Sequence, residues 1–319
     1  MLHLDNTNRS TWETCKRKYY YQVERNLIPL KGSTALRYGI VWHKAMEGFY
    51  SHIQEHGWTR DGKAVEQAIT FAKEEWDSQN ENRVFEDDYR TLENLMRALV
   101  AYISHFNHDE GMLRVVSTER VFKILITAPN PDWFPWVDDE GGFYFTGRLD
   151  AEVLLDARPW QLEFKTTGQP LSLQKQRLHR NPQNIGYDFA SRLTSPEPPE
   201  GCLISLHQLT AYKSKTTGLY GEPKIDFDRV PEIYTDGDIE NWKLSLIEAA
   251  NEILLEKMRG LWPMRWDNCY LYGNCTYSNL CSQNAPLGKE VTEGFIEREP
   301  WDVTKTVPES EVIVVDTKR

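Results

Sequence analysis

Two carboxylates and a lysine lie close together in the middle of the sequence. Asp150 closes the run Gly-Arg-Leu-Asp, and Glu163-Phe164-Lys165 begins thirteen residues later. Residues two apart on a strand point to the same face, so Glu163 and Lys165 would project together if residues 160–166 are a strand. Such a set could hold one divalent metal ion and one attacking water. The alternative is an ordinary hairpin with exposed charges, because Glu-x-Lys is common by chance.

The chain between these residues predicts a β-hairpin. Strand-like runs at 143–155 and 160–166 flank the segment 156–159, Asp-Ala-Arg-Pro, which is typical of a turn. A hairpin closed there would place Asp150 opposite Lys165, within one residue of register.

Length and composition describe a globular protein. The 319 residues can form one large domain or two small ones. No apolar run approaches the roughly 20 residues needed to span a bilayer, and the N-terminus has no signal pattern. We therefore expect a cytoplasmic protein without a membrane partner. Cysteines in that reducing compartment favour metal ligands or buried thiols over disulfides.

The net charge of −11 argues against a general nucleic-acid binder, but the charge is uneven. Residues 1–44 carry a balance of +5 and residues 165–215 a balance of +4, which leaves −20 on the remainder. Two basic segments in an acidic body can still follow a phosphate backbone locally. The alternative is that both are solvated faces.

Hydrophobic periodicity predicts helices and strands along the whole chain. A capping-box match at residues 10–13 predicts a first helix from Ser10 that carries Cys15 and Tyr20. Further helices are predicted at 38–55, 62–79, 87–108, 182–193 and 236–259, and strands at 113–127, 143–155, 160–166, 201–213, 224–235 and 312–315. Gly57 is predicted to stop the first of these helices, and Pro182 to lie in the first turn of the fourth. This order favours an α/β fold, a central mixed β-sheet flanked by helices with a helical insertion at about 58–110. We predict one domain over residues 1–285 and a C-terminal tail over 286–319.

Four cysteines suggest a metal site. Cys269, Cys275 and Cys281 are each six apart in a loop rich in Gly, Asn and Ser, and Cys15 lies near the other end of the chain. Free cysteines prefer apolar surroundings, which this loop lacks. Iron–sulfur clusters and structural zinc both use four thiolates, and the spacing alone does not choose between them. Cys202, in an apolar run, is predicted to lie in the core.

Five motifs, taken in order, resemble the PD-(D/E)XK nuclease superfamily and specifically its iron–sulfur branch. That branch includes RecB-like nuclease domains of AddB type and CRISPR-associated iron–sulfur exonucleases. The motifs are the opening helix with its first cysteine at 10–20, Gly-x-x-x-His at 39–43, Gly-Arg-Leu-Asp at 147–150, Glu-Phe-Lys-Thr-Thr at 163–167 and Gln-x-x-x-Tyr at 183–187. The resemblance implies a restriction-endonuclease-like core and a [4Fe-4S] cluster on the four cysteines.

The chain departs from the family pattern at two places. The C-terminal cysteines read Cys-x5-Cys-x5-Cys, whereas the relatives usually read Cys-x2-Cys-x5-Cys, so zinc remains the second candidate at that site. Leu149 replaces the proline of the family's name, at a position that varies in such families.

The resemblance also implies roles for the central residues. Asp150 and Glu163 would be oxygen ligands of Mg²⁺ or Mn²⁺, with the backbone carbonyl of Phe164 as a further ligand. His43 would add a nitrogen ligand, although a histidine on an amphipathic helix is more often structural. Lys165 would orient or deprotonate the attacking water; the alternative is a surface lysine.

Gln183 and Tyr187 are one helical turn apart and, by resemblance, contact the DNA backbone or position Lys165. Gln208 and Tyr212 have the same spacing and are the rival pair, but they lie in a strand-like run. Glu47, one turn beyond the histidine, is a weaker candidate for supporting the metal ligands.

Weaker candidates for DNA contact lie in the two basic segments. Lys16, Arg17 and Tyr20 could bind a single strand by charge and by base stacking, with core packing as the alternative for the tyrosine. Arg177 and Arg180 could hold phosphates, with a solvated loop as the alternative.

These residues together predict a metal-dependent DNA exonuclease acting on single-stranded or free ends, in recombination, repair or phage-type DNA processing. Recombination or CRISPR-type protein partners are expected with it. One alternative is an endonuclease of defence or CRISPR adaptation type, which would open circular single-stranded DNA. Another is a non-catalytic DNA-binding subunit with the same fold, although none of the five motifs is broken.

Overall fold

The computed structural model describes residues 1–81, 83–270, 273–299, 307 and 312–315. The strands are β1 (His3–Leu4), β2 (Leu27–Pro29), β3 (Leu113–Ile126), β4 (Phe143–Leu155), β5 (Arg158–Thr167), β6 (Cys202–Thr210), β7 (Lys224–Glu232), β8 (Phe295–Glu297) and β9 (Ile313–Val315). The α-helices are α1 (Asn6–Thr14), α2 (Lys16–Tyr19), α3 (Thr34–His56), α4 (Lys63–Glu81), α5 (Leu92–His105), α6 (Asp109–Met112), α7 (Pro135–Asp139), α8 (Leu171–Leu178), α9 (Pro182–Thr194), α10 (Asp236–Arg259) and α11 (Ser278–Cys281). A π-helical segment covers Tyr20–Glu24 and a 3₁₀-helix covers Trp266–Tyr270.

The predicted central mixed sheet flanked by helices is confirmed. Seven strands form it, in the order β7-β6-β5-β4-β3-β9 with β1 beside β4, while β2 and β8 form a separate antiparallel pair. β4–β5 and β6–β7 are antiparallel, whereas β5–β6, β3–β9 and β1–β4 are parallel. Parallel neighbours need a crossover connection, and α8 and α9 provide it between β5 and β6.

The chain divides into two compact units. The first comprises Met1–Lys31, Val121–Gly147 and Glu240–Arg319, and the second comprises Gly32–Arg120 and Arg148–Ile239. The second unit contains α3 to α6, β5, α8, α9, β6 and β7. The range predicted as a tail contributes β8 and β9 to the first unit. Within the described part of the chain, no helix is both long and apolar enough to cross a membrane.

The second unit is built on α3, which packs closely against its neighbours at two glycines. A Cβ at Gly48 would lie 2.9 Å from the carbonyl oxygen of Gln67 on α4, so a side chain there would collide with backbone. A Cβ at Gly39 would lie 3.2 Å from Oγ1 of Thr166, so this glycine brings α3 close to the end of β5. The helix ends at Gly57, which has a φ of 73°, as predicted.

The β4–β5 hairpin is tighter than predicted. Asp156 and Ala157 form its turn with φ values of 50° and 61°, the left-handed values that a two-residue type I′ turn requires. The observed register continues to Asp150 level with Glu163, so the predicted register, Asp150 opposite Lys165, was wrong by two residues. The shorter turn is the cause, and because the shift is even the carboxylates keep their face.

The first helix begins earlier than predicted. The side chain of Asp5 accepts a hydrogen bond from the Asn8 N–H at 2.7 Å, so Asp5 is the N-cap and Ser10 lies inside α1. The chain breaks at Cys15, which is extended at φ −166° and ψ 121°, and Tyr20 lies in the π-helical segment. The capping-box prediction was wrong because an upstream carboxylate caps the helix instead.

Candidate active site

Asp150 and Glu163 lie where the pairing of β4 and β5 ends. The last pair of their register is Ala151 with Leu162, and the two carboxylates are the next residues on each strand. The N–H of Phe164 donates to Oδ2 of Asp150 at 2.9 Å, which ties the two strands together beyond the last pair. Both acidic side chains therefore come to one place at the open end of the hairpin.

The side chain of Glu163 is only 1% exposed, and neighbouring side chains donate hydrogen bonds to its carboxylate. Lys165 Nζ donates to its Oε1 at 2.5 Å, and Gln183 Nε2 donates to the same oxygen at 3.3 Å. Burial, together with the negative charge of Asp150, raises the pKa of Glu163 even though Lys165 and His43 oppose the shift. Bringing a second carboxylate this close in a buried place is unfavourable without a cation.

His43 reaches the same place from α3. Its Nδ1 lies 3.2 Å from Oδ1 of Asp150. Burial lowers the pKa of His43, but the charge of Asp150 and their hydrogen bond outweigh it and raise the pKa above its usual value. Burial likewise raises the pKa of Asp150, and His43 with the Phe164 N–H overcomes that effect and holds it low.

The N-terminal turn of α9 supplies Gln183 and Tyr187. The Asn181 side chain accepts from the N–H of Gln183 at 2.9 Å and so caps this helix. Lys165 Nζ donates to Oε1 of Gln183 at 2.8 Å, and Gln183 Nε2 donates to the Tyr187 hydroxyl at 3.3 Å. The structure thus brings Gln183 and Tyr187 to Lys165.

The rival pair lies elsewhere. Gln208 is on β6 opposite Thr167, and Tyr212 lies beyond the end of that strand with 72% of its surface exposed. Glu47, the weaker candidate on α3, makes an ion pair with Lys44.

The donor set fits a divalent cation in its chemistry. The carboxylates of Asp150 and Glu163, an imidazole nitrogen and the Phe164 carbonyl are oxygen and nitrogen donors of the kind that Mg²⁺ and Mn²⁺ accept. As the side chains stand, the described residues contain no group of three or more His, Cys, Asp or Glu already arranged around a metal position. Lys165 and His43 instead contact the carboxylate oxygens.

Two neighbours of the site were missed at the sequence level. Gln161 is fully buried and its Nε2 lies 3.4 Å from Oε2 of Glu163; the two-residue period of β5 could have found it. Glu119 sits on β3 with a φ of 51° and pairs with Arg148 at 2.7 Å. Burial, with a contribution from the charge of Asp150, raises the pKa of Glu119 to about 7. No local pattern predicts a left-handed glutamate inside a strand.

Four cysteines, Cys15, Cys269, Cys275 and Cys281, belong to the first unit, and Cys202 belongs to the second. Arg265 N–H donates to Sγ of Cys15 at 3.5 Å. The pKa of Cys281 is raised to about 11, mainly by burial and also by the charges of Cys275, Cys15 and Cys269, against the opposing charge of Arg17. Among the described residues these thiols do not form a group already arranged around a metal position, so a common metal site stays a prediction. The core position predicted for Cys202 is confirmed, since it is fully buried.

The candidate DNA contacts of the first unit have internal partners. Lys16 Nζ lies 3.1 Å from Oε1 of Glu256, and Arg17 Nε donates to the Trp262 carbonyl at 2.7 Å. Tyr20 stacks on Trp262 at 5.5 Å. DNA contact through these three side chains stays a prediction.

Arg177 and Arg180 are exposed in the second unit. The predicted loop around them is in part a helix, because α8 extends to Leu178. Their contact with phosphates also stays a prediction.

Comparison with known protein families matches the chain to the PD-(D/E)XK nuclease superfamily over residues 7–282. No curated protein sequence matches the chain. The matched range contains both carboxylates, the lysine, the α9 pair and the four cysteines.

Proposed function

The chain belongs to the PD-(D/E)XK nuclease superfamily, and on that premise we propose that it is a metal-dependent DNA exonuclease acting on single-stranded ends. Recombination, repair or phage-type DNA processing is the proposed setting. The observation that carries the proposal is the pair of half-buried Asp150 and buried Glu163 at the open end of the β4–β5 hairpin, with Lys165 in contact with Glu163.

Asp150, Glu163, His43 and the Phe164 carbonyl would hold a Mg²⁺ or Mn²⁺ ion. Such an ion lowers the pKa of a bound water and neutralises charge on a phosphodiester. The residues present support this, because the pKa of Glu163 is raised by burial and by its neighbour Asp150, and a cation would relieve that repulsion.

Lys165 would accept the water's proton at Nζ only as the neutral amine, and as an ammonium it would orient the attacking water. The ammonium group is positioned for that role by two acceptors, Oε1 of Glu163 and Oε1 of Gln183. Tyr187 accepts from Gln183 and keeps the amide in place, so α9 acts on the reaction through Lys165. The positive charge of Lys165 would also stabilise the charge that develops on the phosphate.

Cys15, Cys269, Cys275 and Cys281 would hold a [4Fe-4S] cluster of the kind found in the RecB-like branch, with zinc as the second candidate. All four thiols belong to the first unit, and the charges of the other three contribute to the raised pKa of Cys281, which supports a common site. The Arg265 N–H directed at Cys15 is the type of donor that stabilises a ligating thiolate. Iron and sulfide analysis with visible absorbance on anaerobically purified protein tests this; a colourless, zinc-loaded sample would remove the cluster.

The catalytic proposal is tested with end-labelled linear single-stranded, linear double-stranded and circular single-stranded DNA in Mg²⁺ and in Mn²⁺. Glu163→Gln and Lys165→Met should each abolish cleavage of linear single strands while circular dichroism and bound iron stay unchanged. Glu66→Gln, on the exposed face of α4, is the matched control and should cleave normally. Full activity in both site variants would contradict the proposed mechanism. Cleavage of the circular single strand would show that the enzyme is an endonuclease rather than an exonuclease.

A further inference from the structure

The chain forms a small ordered hairpin at residues 212–221, directly after β6. Lys213 and Tyr220 form an antiparallel bridge, and the Gly221 N–H donates to the Tyr212 carbonyl at 2.9 Å. Gly218, with a φ of 70°, provides the turn. This 212–221 hairpin contains two lysines and two tyrosines and no Asp or Glu. Its backbone hydrogen bonds order the main chain that carries those side chains.

The side chains of the 212–221 hairpin face solvent. Tyr212 is 72% exposed and Leu219 is 70% exposed, and Lys213 Nζ lies 5.0 Å from the ring centroid of Tyr220. Within the described part of the chain, Lys215 makes no ion pair. Exposed rings beside cations that lack carboxylate partners are the elements with which proteins bind single-stranded nucleic acid: bases stack on the rings and phosphates meet the cations.

The 212–221 hairpin follows β6, the strand next to β5, and β5 carries Glu163 and Lys165. β6 runs parallel to β5 with Leu206 opposite Lys165, so both strands end at the same edge of the sheet. Tyr212 lies six residues beyond Leu206, which limits its distance from the Lys165 level to about 20 Å. A strand whose phosphate lies at Lys165 can therefore reach the hairpin within a few nucleotides.

A chain of contacts connects the end of β5 to the hairpin. A Cβ at Gly168 would lie 2.9 Å from Nη2 of Arg90, so the guanidinium covers the residue that follows β5. Arg90 lies 4.4 Å from the ring centroid of Tyr89, and Tyr89 lies 5.2 Å from Tyr220. Alternating cations and rings thus extend from the end of β5 to Tyr220, and Arg90 in this path also forms an ion pair with Asp88 at 2.6 Å.

We propose that the 212–221 hairpin binds the single DNA strand whose end enters the active site. Tyr212 stacks on a base, and Lys213 and Lys215 contact phosphates on either side of it. The inference rests on the proposed function, since it names the surface by which that same site holds its substrate. Stacking is tolerant of base identity, so the surface fits an enzyme that degrades strands of any sequence.

The test is binding of a fluorescein-labelled oligothymidylate, followed by anisotropy in EDTA at several salt concentrations. Tyr212→Ala should weaken binding about 10-fold, and Tyr212→Phe should restore it because the ring remains. Lys213→Ala combined with Lys215→Ala should reduce the slope of log affinity against log salt by about 1.4. Trp133→Ala and Lys73→Ala, exposed residues outside the hairpin, are the controls and should bind as the unchanged protein does.

Cleavage assays separate this inference from the proposed function. On linear single-stranded DNA, the loss in Tyr212→Ala should appear in KM rather than in kcat. If the unchanged protein cleaves DNA and the hairpin variants bind the oligonucleotide equally well, the inference is overturned and the function stands. If the unchanged protein cleaves nothing, the proposed function falls, and the anisotropy series still decides whether the hairpin binds a strand. Tighter binding of an RNA of the same length would overturn the assignment to DNA.

Discussion

At the scale of single residues, the site depends on buried polar side chains that hold the two carboxylates in place. Glu163 has a donor at each oxygen: Lys165 and Gln183 at Oε1 and Gln161 at Oε2. Gln161 touches neither the reacting atoms nor a proposed metal position. We expect it to be a positioning residue that sets the direction of the Glu163 carboxylate.

Gln161→Leu should lower kcat by about 10-fold and raise the Mn²⁺ concentration needed for half-maximal activity, because Oε2 of Glu163 loses its donor. A purely structural role would lower the midpoint of urea unfolding without moving the metal dependence. Gln176→Leu, exposed on α8, is the control and should match the unchanged protein in all three measurements. Unchanged kcat and metal dependence in Gln161→Leu would refute the positioning role.

A second residue-scale prediction concerns His207 on β6. Its side chain is 1% exposed, and its ring centroid lies 4.1 Å from that of Trp42. Burial lowers its pKa to about 3, whereas an unfolded histidine titrates near its ordinary value of 6.5. Between these values the unfolded chain binds one more proton, so stability is present above pH 6.5 and is lost as the pH falls. The expected contribution is about 1.4 kcal/mol per pH unit.

Urea unfolding at pH 7.5, 6 and 5 measures the effect. His207→Gln should show a shallower loss of stability on acidification than the unchanged protein, whatever its stability at pH 7.5. If the free energy of unfolding falls equally with pH in the two proteins, a group other than His207 takes up the proton.

At the scale of elements, the β4–β5 hairpin positions the carboxylates, and its turn is under local strain. Ala157 has a φ of 61°, a conformation that costs a residue with a side chain roughly 1–2 kcal/mol. The turn lies at the closed end, and Asp150 and Glu163 lie beyond the last pair at the open end. The strain therefore affects the stability of the hairpin without reaching the site.

Ala157→Gly should raise the free energy of unfolding by about 1 kcal/mol and leave the nuclease rate unchanged, because glycine adopts this conformation without a steric penalty. Thermal unfolding and the cleavage assay measure the two effects. Ala101→Gly, inside α5, should act in the opposite direction by about 1 kcal/mol, since glycine weakens a helix interior. A lower free energy of unfolding in Ala157→Gly than in the unchanged protein would contradict the proposed backbone strain at Ala157.

At the scale of the whole molecule, the first unit combines segments that are far apart in the chain. Cys15 comes from its N-terminal segment, and the other three thiols of the proposed site come from its C-terminal segment. A metal group held by all four would close a loop of more than 250 residues. Such a closure restricts the unfolded chain strongly.

Cys15→Ser should therefore lose its metal and loosen both ends of the first unit together. Hydrogen exchange should increase in α1, α2 and the Trp266–Tyr270 helix, with much less change in α3 and α9 of the second unit. Cys202→Ala is the matched control and should keep its metal, since Cys202 lies in the second unit. A full metal content in Cys15→Ser would show that this thiol is not a ligand.

Particular residues show how far prediction from the sequence reached. The end of α3 at Gly57 and the start of α9 near Pro182 were predictable because local chemistry decides them: a left-handed glycine and a proline in the first turn. The start of α1 and the hairpin register were not, because Asp5 and a two-residue turn competed with equally plausible local patterns. The left-handed conformation of Glu119 inside β3 matches no local sequence pattern.

The sequence by itself determined the family, the order of the longer helices and strands, and the residue types available for metal binding and proton transfer. Those features follow from local periodicity and from motifs of fixed spacing. Only the tertiary structure decided which side chains meet: Asp150 with Glu163 rather than Lys165, and Gln183 rather than Gln208 at the lysine. The tertiary structure also leaves Tyr212 exposed just beyond the end of β6, the strand that pairs with β5. These pairings depend on strand register and on the close approach of α3 and α9 to the sheet, which are contacts between distant segments that no local pattern specifies.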